Sequence, residues 1–304
     1  MNKWLGPFFL GAAATIWGGM YIVSKIVLET VPPWVLLEMR FVIGLVVLGG
    51  WAWYANEWKI AFRDLKAMAL IGLIGYTGSI GFQFVGTHLS GASLGALITS
   101  ASPALISLFA WKLLREKPDM KEVSSLVIAT LGVMIVIGLP SEAGSASFMG
   151  NIILFGAAVT WALYTVLSRI QTLKYSSLTV TFWANLFGVI FTFPISWQEW
   201  RSKQVEWPVD AEIWLGIFYL GVISTALAFY FWNKGFEYID ASVGSLFFFF
   251  QPVVGTLLGA WLLNEYLAWN FYIGALLIAV GVILSQSRKI QKPPSVSGSQ
   301  NHEI

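Results

Sequence analysis

No cysteine occurs among the 304 residues, so a disulfide framework and a thiolate metal site are both excluded, and redox chemistry leaves no mark of the compartment. Histidine is scarce as well. His302 lies in a polar tail and His88 is the single imidazole near an apolar segment, which argues against a histidine-built metal site. Charged residues make up only 11% of the chain and hydrophobic ones 57%, too little polar surface to coat a water-soluble globule of this size. The composition is that of a membrane protein. A net charge of +2 gives no reason to invoke nucleic acid. There is no G-x-x-x-x-G-K-[ST] loop and no Asp-rich metal motif, so an ATP-driven pump and a metal-dependent prenyltransferase find no support, and no cofactor or metal is implied.

Apolar runs are what the chain has in abundance. A hydrocarbon core about 30 Å thick needs roughly 20 helical residues, and such stretches fall near 5–28, 33–55, 66–87, 91–114, 121–139, 149–170, 175–197, 211–233, 241–263 and 267–287. The spacing predicts an all-α integral membrane protein with ten transmembrane helices. The first stretch is full length and Gly-rich without a convincing cleavage site, so it is read as a span and not as a signal peptide. Residues 288–304 form a polar, Pro/Ser-rich tail with the composition of a disordered segment.

Basic residues set the expected orientation. With the N-terminus inside, fourteen of the eighteen Lys and Arg residues fall on the inner side and only Arg201 and Lys203 on the outer. That bias places both termini in the cytoplasm and the chain in the cytoplasmic membrane. Tryptophans cluster near the span ends, as an interfacial belt requires; Trp17, Trp161, Trp183 and Trp232 are the deep exceptions.

Internal repetition is the strongest organisational signal. Residues 91–135 pair with 240–284 at an offset of 149 without a gap, matching Ala92, Ser93, Gly95, Pro103 and Glu116 to Ala241, Ser242, Gly244, Pro252 and Glu265, and Gly72 likewise meets Gly221. At an offset of 144, "WGGMYIVSK" (17–25) pairs with "WALYTVLSR" (161–169) through Trp17, Ser24 and Lys25 against Trp161, Ser168 and Arg169. The chain reads as two five-helix copies, 1–139 and 140–287. Five is odd, so the second copy inserts upside down, and inverted repeats of this kind can exchange conformations to open a central site to either side.

These features together, with the equivalent runs "LLREKP" and "LLNEYL", resemble the drug/metabolite transporter superfamily of EamA type along nearly the whole chain. The resemblance implies a secondary transporter, often an exporter, of small metabolites such as amino acids. It also implies a cavity lined by the first, third, fourth, sixth, eighth and ninth helices, with the fifth and tenth at the periphery.

The residues point to the same place. Pro103 and Pro252 occupy equivalent positions within their spans, and a proline inside a helix frees the carbonyl four residues earlier, here Thr99 and Phe248. Interruptions in corresponding segments of two repeats mark a substrate site. "LITSASP" offers Thr99 and Ser102, and "LFFFFQP" offers Phe248 and Gln251. Hydroxyls on one wall and aromatic faces on the other suit a small amphiphilic organic solute. Four consecutive phenylalanines point all round a helix, so some of Phe247 to Phe250 are expected to face lipid. Trp17, Tyr21, Gln83, Trp161, Tyr164, Asn233 and Trp232 complete the expected lining.

Lys25, Glu38 and Arg40 fall in one outer layer beside the turn "ETVPP". They form either a functional charge cluster that gates or attracts a carboxylate, or a pair of snorkelling cations, with Arg40 reaching headgroups. Glu116 and Glu265 read as caps or tethers for the helix that follows each; Arg169 reads as an inner anchor. "GASLG" (91–95) matches the G-x-S-x-G nucleophile pattern with His88 nearby, but no strand precedes it, and its glycines also suit close helix packing. An intramembrane serine protease is therefore the weaker alternative, as is a receptor or scaffold, which would need large polar loops. Expected partners are a small-molecule substrate and the lipid bilayer; a homo-oligomer is left open.

Overall fold

The computed structural model describes residues 4–90, 98–137, 148–203, 210–263 and 269–285. The described chain is all-helical and runs through ten spans. They are α1 (Leu5–Leu28), α2 (Pro33–Tyr54), α3 (Leu65–Ile71, Gly72–Ile80 and Gly81–Ser90), α4 (Ser102–Leu114), α5 (Met120–Ile137), α6 (Phe148–Thr172), α7 (Ser177–Lys203), α8 (Ala211–Phe218, Tyr219–Leu227 and Ala228–Gly235), α9 (Ala241–Ser245, Leu246–Phe249 and Phe250–Leu263) and α10 (Trp269–Ser285). Six of them, α1, α2, α3, α6, α7 and α8, are long and apolar enough to cross a bilayer, whereas α4, α9 and α10 include shorter apolar helices. The surface is apolar: Val46, Ile190 and Leu276 are exposed in mid-span, a pattern tolerable only against lipid. Trp53, Tyr54 and Phe62 ring one end and Trp261, Trp269 and Phe148 the other, as interfacial belts do.

The two ends are held differently. At the end that carries most of the basic residues, called the basic end below, Tyr175 donates to Asp64 at 2.7 Å, Lys174 pairs with Asp64 at 3.4 Å, and Trp183 Nε1 donates to the Trp58 carbonyl at 2.8 Å. These contacts join the start of α3 and the end of α2 to the start of α7. At the opposite end, Glu199 of α7 accepts the Trp34 and Val35 N–H groups at 2.7 and 3.2 Å. That carboxylate satisfies first-turn donors of α2 that have no partner within the helix.

Packing follows the repeat. Among the described residues α2 packs on α7 and α5 on α10, pairs that map onto themselves when the two copies are exchanged. The contacts of α1 with α8 and α9 map onto those of α6 with α3 and α4. Such an exchange symmetry is what an inverted repeat of five requires. α5 and α10 pair mainly with each other, away from the other crossings.

The middle of α3 and the middle of α8 are π-helical, over Gly72–Ile80 and Tyr219–Leu227. These segments are also repeat equivalents. Each widened turn begins near a glycine that allows a neighbour to approach. A Cβ on Gly72 would lie 2.5 Å from the Ala184 carbonyl oxygen of α7, and one on Gly221 would lie 2.5 Å from Ile43 Cγ2 of α2.

The prolines require a correction. Pro103 and Pro252 are not in the middle of regular helices. Pro103 sits in the first turn of α4, directly after a turn at 100–101, and Pro252 follows a 3₁₀ stretch at Leu246–Phe249. A proline needs no N–H in the first turn, so each restarts a helix that has already been interrupted. The carbonyl of Thr99 is not left open: Ser102 Oγ donates to it at 2.7 Å. The phenylalanine run is largely internal: Phe247 and Phe249 are buried and Phe248 and Phe250 half-buried. The short 3₁₀ segment lies inside the bundle, where α1, α5 and α10 surround it.

The close approach at the two glycines can be measured. Gly72→Ala and Gly221→Ala should each lose about 1–3 kcal/mol in chemical denaturation in detergent, the cost of overpacking a filled contact. Gly50→Ala, where a Cβ meets nothing within 4 Å, should be neutral or gain up to about 1 kcal/mol from helix propensity. Equal stability of all three variants would contradict the packing.

Candidate functional site

A cavity with about 460 Å³ of atom-free space, its mouth included, opens near the middle of the bundle. Both repeats build it. α1 supplies Trp17 and Met20, α2 Arg40, α3 Ser79, Ile80 and Gln83, and the start of α4 Thr99 and Ser102; the second copy adds Ala157, Trp161, Phe229, Phe248 and Gln251. The equivalent tryptophans of the two copies meet here. Trp17 and Trp161 stand edge to face, 5.2 Å between ring centroids at 84°, and Phe248 lies 5.8 Å from Trp161 and 6.5 Å from Trp17. Edge-to-face pairs of this kind contribute about 0.5–1.5 kcal/mol each beyond their buried area. The repeated tryptophan is thus a central aromatic pair.

The π segment of α8 fixes two cavity side chains. Trp17 Nε1 donates to the Ser224 carbonyl at 3.0 Å. Arg40 donates from Nε to Thr225 Oγ1 at 2.9 Å, from one terminal nitrogen to Ser224 Oγ at 3.2 Å and from the other to Met20 Sδ at 3.3 Å. Thr225 in turn donates to the Leu220 carbonyl at 2.8 Å, five residues back in the widened turn.

Arg40 therefore does not reach headgroups; it is 0% exposed. The reason is rotational, because α2 turns this face toward the hydroxyls of α8 and not toward lipid. Glu38, two residues earlier, does not line the cavity, and one of its carboxyl oxygens is buried without a hydrogen bond. The side chains of Lys25 and Tyr21 lie outside the described residues, as do Ser93, Glu265 and the side chain of His88. No group of three or more His, Asp or Glu with metal-binding spacing occurs among the described residues.

Of the expected lining, Trp17, Gln83, Thr99, Ser102, Trp161, Phe248 and Gln251 border the cavity. Pro103, Pro252, Tyr164, Trp232 and Asn233 do not. Tyr164 and Trp232 are fully buried one layer behind it, where Asn233 Nδ2 donates to the Tyr164 hydroxyl at 3.2 Å and to Thr181 Oγ1 at 2.9 Å, and Trp232 Nε1 donates to Thr165 Oγ1 at 3.2 Å. Their polar atoms already have partners, so they support the wall. Met20, Ser79, Ile80, Ala157 and Phe229 are lining residues that the sequence did not single out. Nothing in their residue types distinguishes them from ordinary core; their helical faces do.

At the basic end the cavity is closed by α4 meeting α9. Ser107 and Ser242 share a hydrogen bond of 3.2 Å, Ser245 Oγ approaches the Pro103 carbonyl at 3.4 Å, and Glu116 accepts the Ala241 N–H at 2.8 Å. Glu116 caps α9, in the other repeat, and not the α5 that follows it; there Asp119 accepts the Glu122 N–H. Arg169 is also more than an anchor. It is 9% exposed, with Glu116, Asp240 and Glu237 as its charged neighbours.

The EamA-like transporter family model matches residues 4–138 and again 148–286. The chain belongs to that family. It is 26% identical over 298 residues to the uncharacterized transporter YetK of Bacillus subtilis (strain 168), covering 96% of this chain and 90% of that one. It is 30% identical over 225 residues to the uncharacterized transporter YyaM of the same strain, 73% of each, and 23% identical over 285 residues to an uncharacterized transporter of Archaeoglobus fulgidus, 93% and 97% of the two chains. A solved crystal structure aligns with a TM-score of 0.77 over 92% of this chain and 96% of its own at 23% identity, a likeness of fold.

Thr225 holds Arg40 and closes the π turn at once, which makes it separable by substitution. Thr225→Val keeps the shape and strips the hydroxyl, leaving the Arg40 Nε–H without its acceptor, at a cost of about 1–3 kcal/mol in denaturation. Thr225→Ser should recover most of that loss. Equal stability of the Val variant and the parent would contradict the bonding described.

Proposed function

We propose that this member of the EamA-like transporter family is a secondary transporter that moves a small amphiphilic organic solute, such as an amino acid, across the cytoplasmic membrane by alternating access, in the direction of export. The observation that carries the reading is a central cavity built from corresponding parts of both repeats and closed at the basic end by α4 and α9. Aromatic faces from Trp17, Trp161, Phe229 and Phe248 suit an apolar body, and Gln83, Thr99, Ser102 and Gln251 suit a polar group beside it. Exchange of the repeat conformations would close the opposite end and open this one.

Counterflow in proteoliposomes tests the reading. Vesicles loaded with unlabelled phenylalanine or another neutral amino acid should accumulate the labelled form transiently, and the same solute should protect Thr99→Cys and Gln251→Cys, but not Ser124→Cys on the exposed face of α5, from a permeant thiol reagent. Absence of counterflow for amino acids and for related organic acids and amines would refute it.

Closure at the basic end should depend on pH. Burial is the main cause that pushes the Glu116 carboxyl from 4.5 up to about 7; the Asp240 and Glu122 carboxylates act in the same direction, and the Ala241 N–H and the Arg169 guanidinium oppose them. A carboxyl raised in the closed state binds its proton more readily there than when solvated. Its contribution to closure is therefore fully present below 4.5 and is lost as pH rises to about 7. The readout is labelling of Thr99→Cys by an impermeant reagent applied at the basic end, taken as the ratio between Glu116 and Glu116→Gln backgrounds at each pH. That ratio should climb between 4.5 and about 7 and level off above. A ratio independent of pH would contradict this role.

A further inference from the structure

Arg40 is a buried cation without a balancing charge. It is 0% exposed, and its three hydrogen-bond partners, Thr225, Ser224 and Met20, are all neutral. Among the described residues it forms no ion pair. A guanidinium has five N–H donors. Three are used here, leaving one proton on each terminal nitrogen, and the side chain borders the cavity. An unpaired buried charge is costly, and a site that leaves one unpaired favours an anion.

A second unused donor belongs to a residue on another wall of the same cavity. Trp161 is 7% exposed and its indole N–H has no hydrogen-bond partner. Indole nitrogen can only donate, so it too awaits an acceptor. No aspartate, glutamate or histidine borders the cavity among the described residues, which leaves nothing to pair with a cationic group by charge. The walls carry donors and aromatic rings, and what they lack is a negatively charged acceptor attached to an apolar body.

We infer that the solute is an organic carboxylate: its carboxylate accepts from the free protons of Arg40, Trp161 supplies a further donor, and its apolar body lies against Trp17, Phe229 and Phe248. An amino group is tolerated but not required. This deepens the transport reading and rests on it. The chemistry is carboxylate recognition by a fixed guanidinium, which discriminates by charge and by paired acceptor geometry.

The test uses the full-length protein in proteoliposomes with a single cysteine at Thr99 and four probes that share a phenyl ring: phenylacetate, phenylalanine, phenylacetamide and phenethylamine. Phenylacetate and phenylalanine should protect the cysteine at concentrations about tenfold or more below those of the amide and the amine, as expected for a hydrogen-bonded charge. Arg40→Gln should erase that preference. Should this variant fail to fold, Trp161→Phe, which keeps a ring and removes the N–H, should weaken protection by phenylacetate several-fold while sparing phenylacetamide. Equal protection by phenylacetate and phenylacetamide, or protection by chloride alone, would overturn the inference. Protection and counterflow led by the amine or the amide would overturn it while leaving transport of an amphiphile intact. Failure of all four probes to protect or to be taken up would defeat both.

Discussion

In a hydrocarbon environment no water satisfies a broken helix, so every interruption must be repaired from within the chain. That constraint accounts for several of the central polar contacts here. The interrupted start of α4 is repaired by Ser102 on the Thr99 carbonyl and the start of α9 by Ser245 on the Ser242 carbonyl, and in the π segment of α8 the Leu220 and Ser224 carbonyls accept from Thr225 and Trp17. Irregular backbone is tolerated at membrane depth only where protein surrounds it or a cavity borders it. Three of these side chains act at the cavity: Ser102 and Trp17 line it and Thr225 holds Arg40.

The same constraint acts at the helix ends, where the first N–H groups lack partners. The chain meets it by capping across the repeats. Glu116 from the first copy caps α9, and Glu199 from the second caps α2. One cap sits at the basic end and the other at the opposite end, so the junction between the copies is held by carboxylates at both surfaces. Glu116 is half-buried among Asp240, Glu122 and Arg169. A cap in that setting is sensitive to proton concentration in a way an exposed one is not.

Architecture was legible in the sequence because repetition and hydropathy are one-dimensional. The match of Trp17 to Trp161 and of Pro103 to Pro252 led to the centre of the molecule and to seven of its lining residues. Helical rotation was not legible. Arg40 lies at a depth where it could snorkel, and what turns it inward is Thr225, 185 residues away. Tyr164 and Trp232 sit at suitable depths yet face the layer behind the cavity, where Asn233, Thr181 and Thr165 hold their polar atoms. The π segments left no sequence signal beyond Gly72 and Gly221, because a widened turn has no composition of its own. Glu116 was read as capping the helix next in sequence, and the structure gives it to the other repeat.

The central claim is that α4 and α9 separate at the basic end when the two copies exchange conformations. Spin labels at Lys117, exposed beyond α4, and at Tyr238, half-buried before α9, straddle that contact. Pulsed electron resonance in liposomes, with and without saturating solute, reads the distance between them directly. The account predicts a second, longer distance whose population changes with solute. A single distance that stays fixed while the same liposomes carry out counterflow would contradict it.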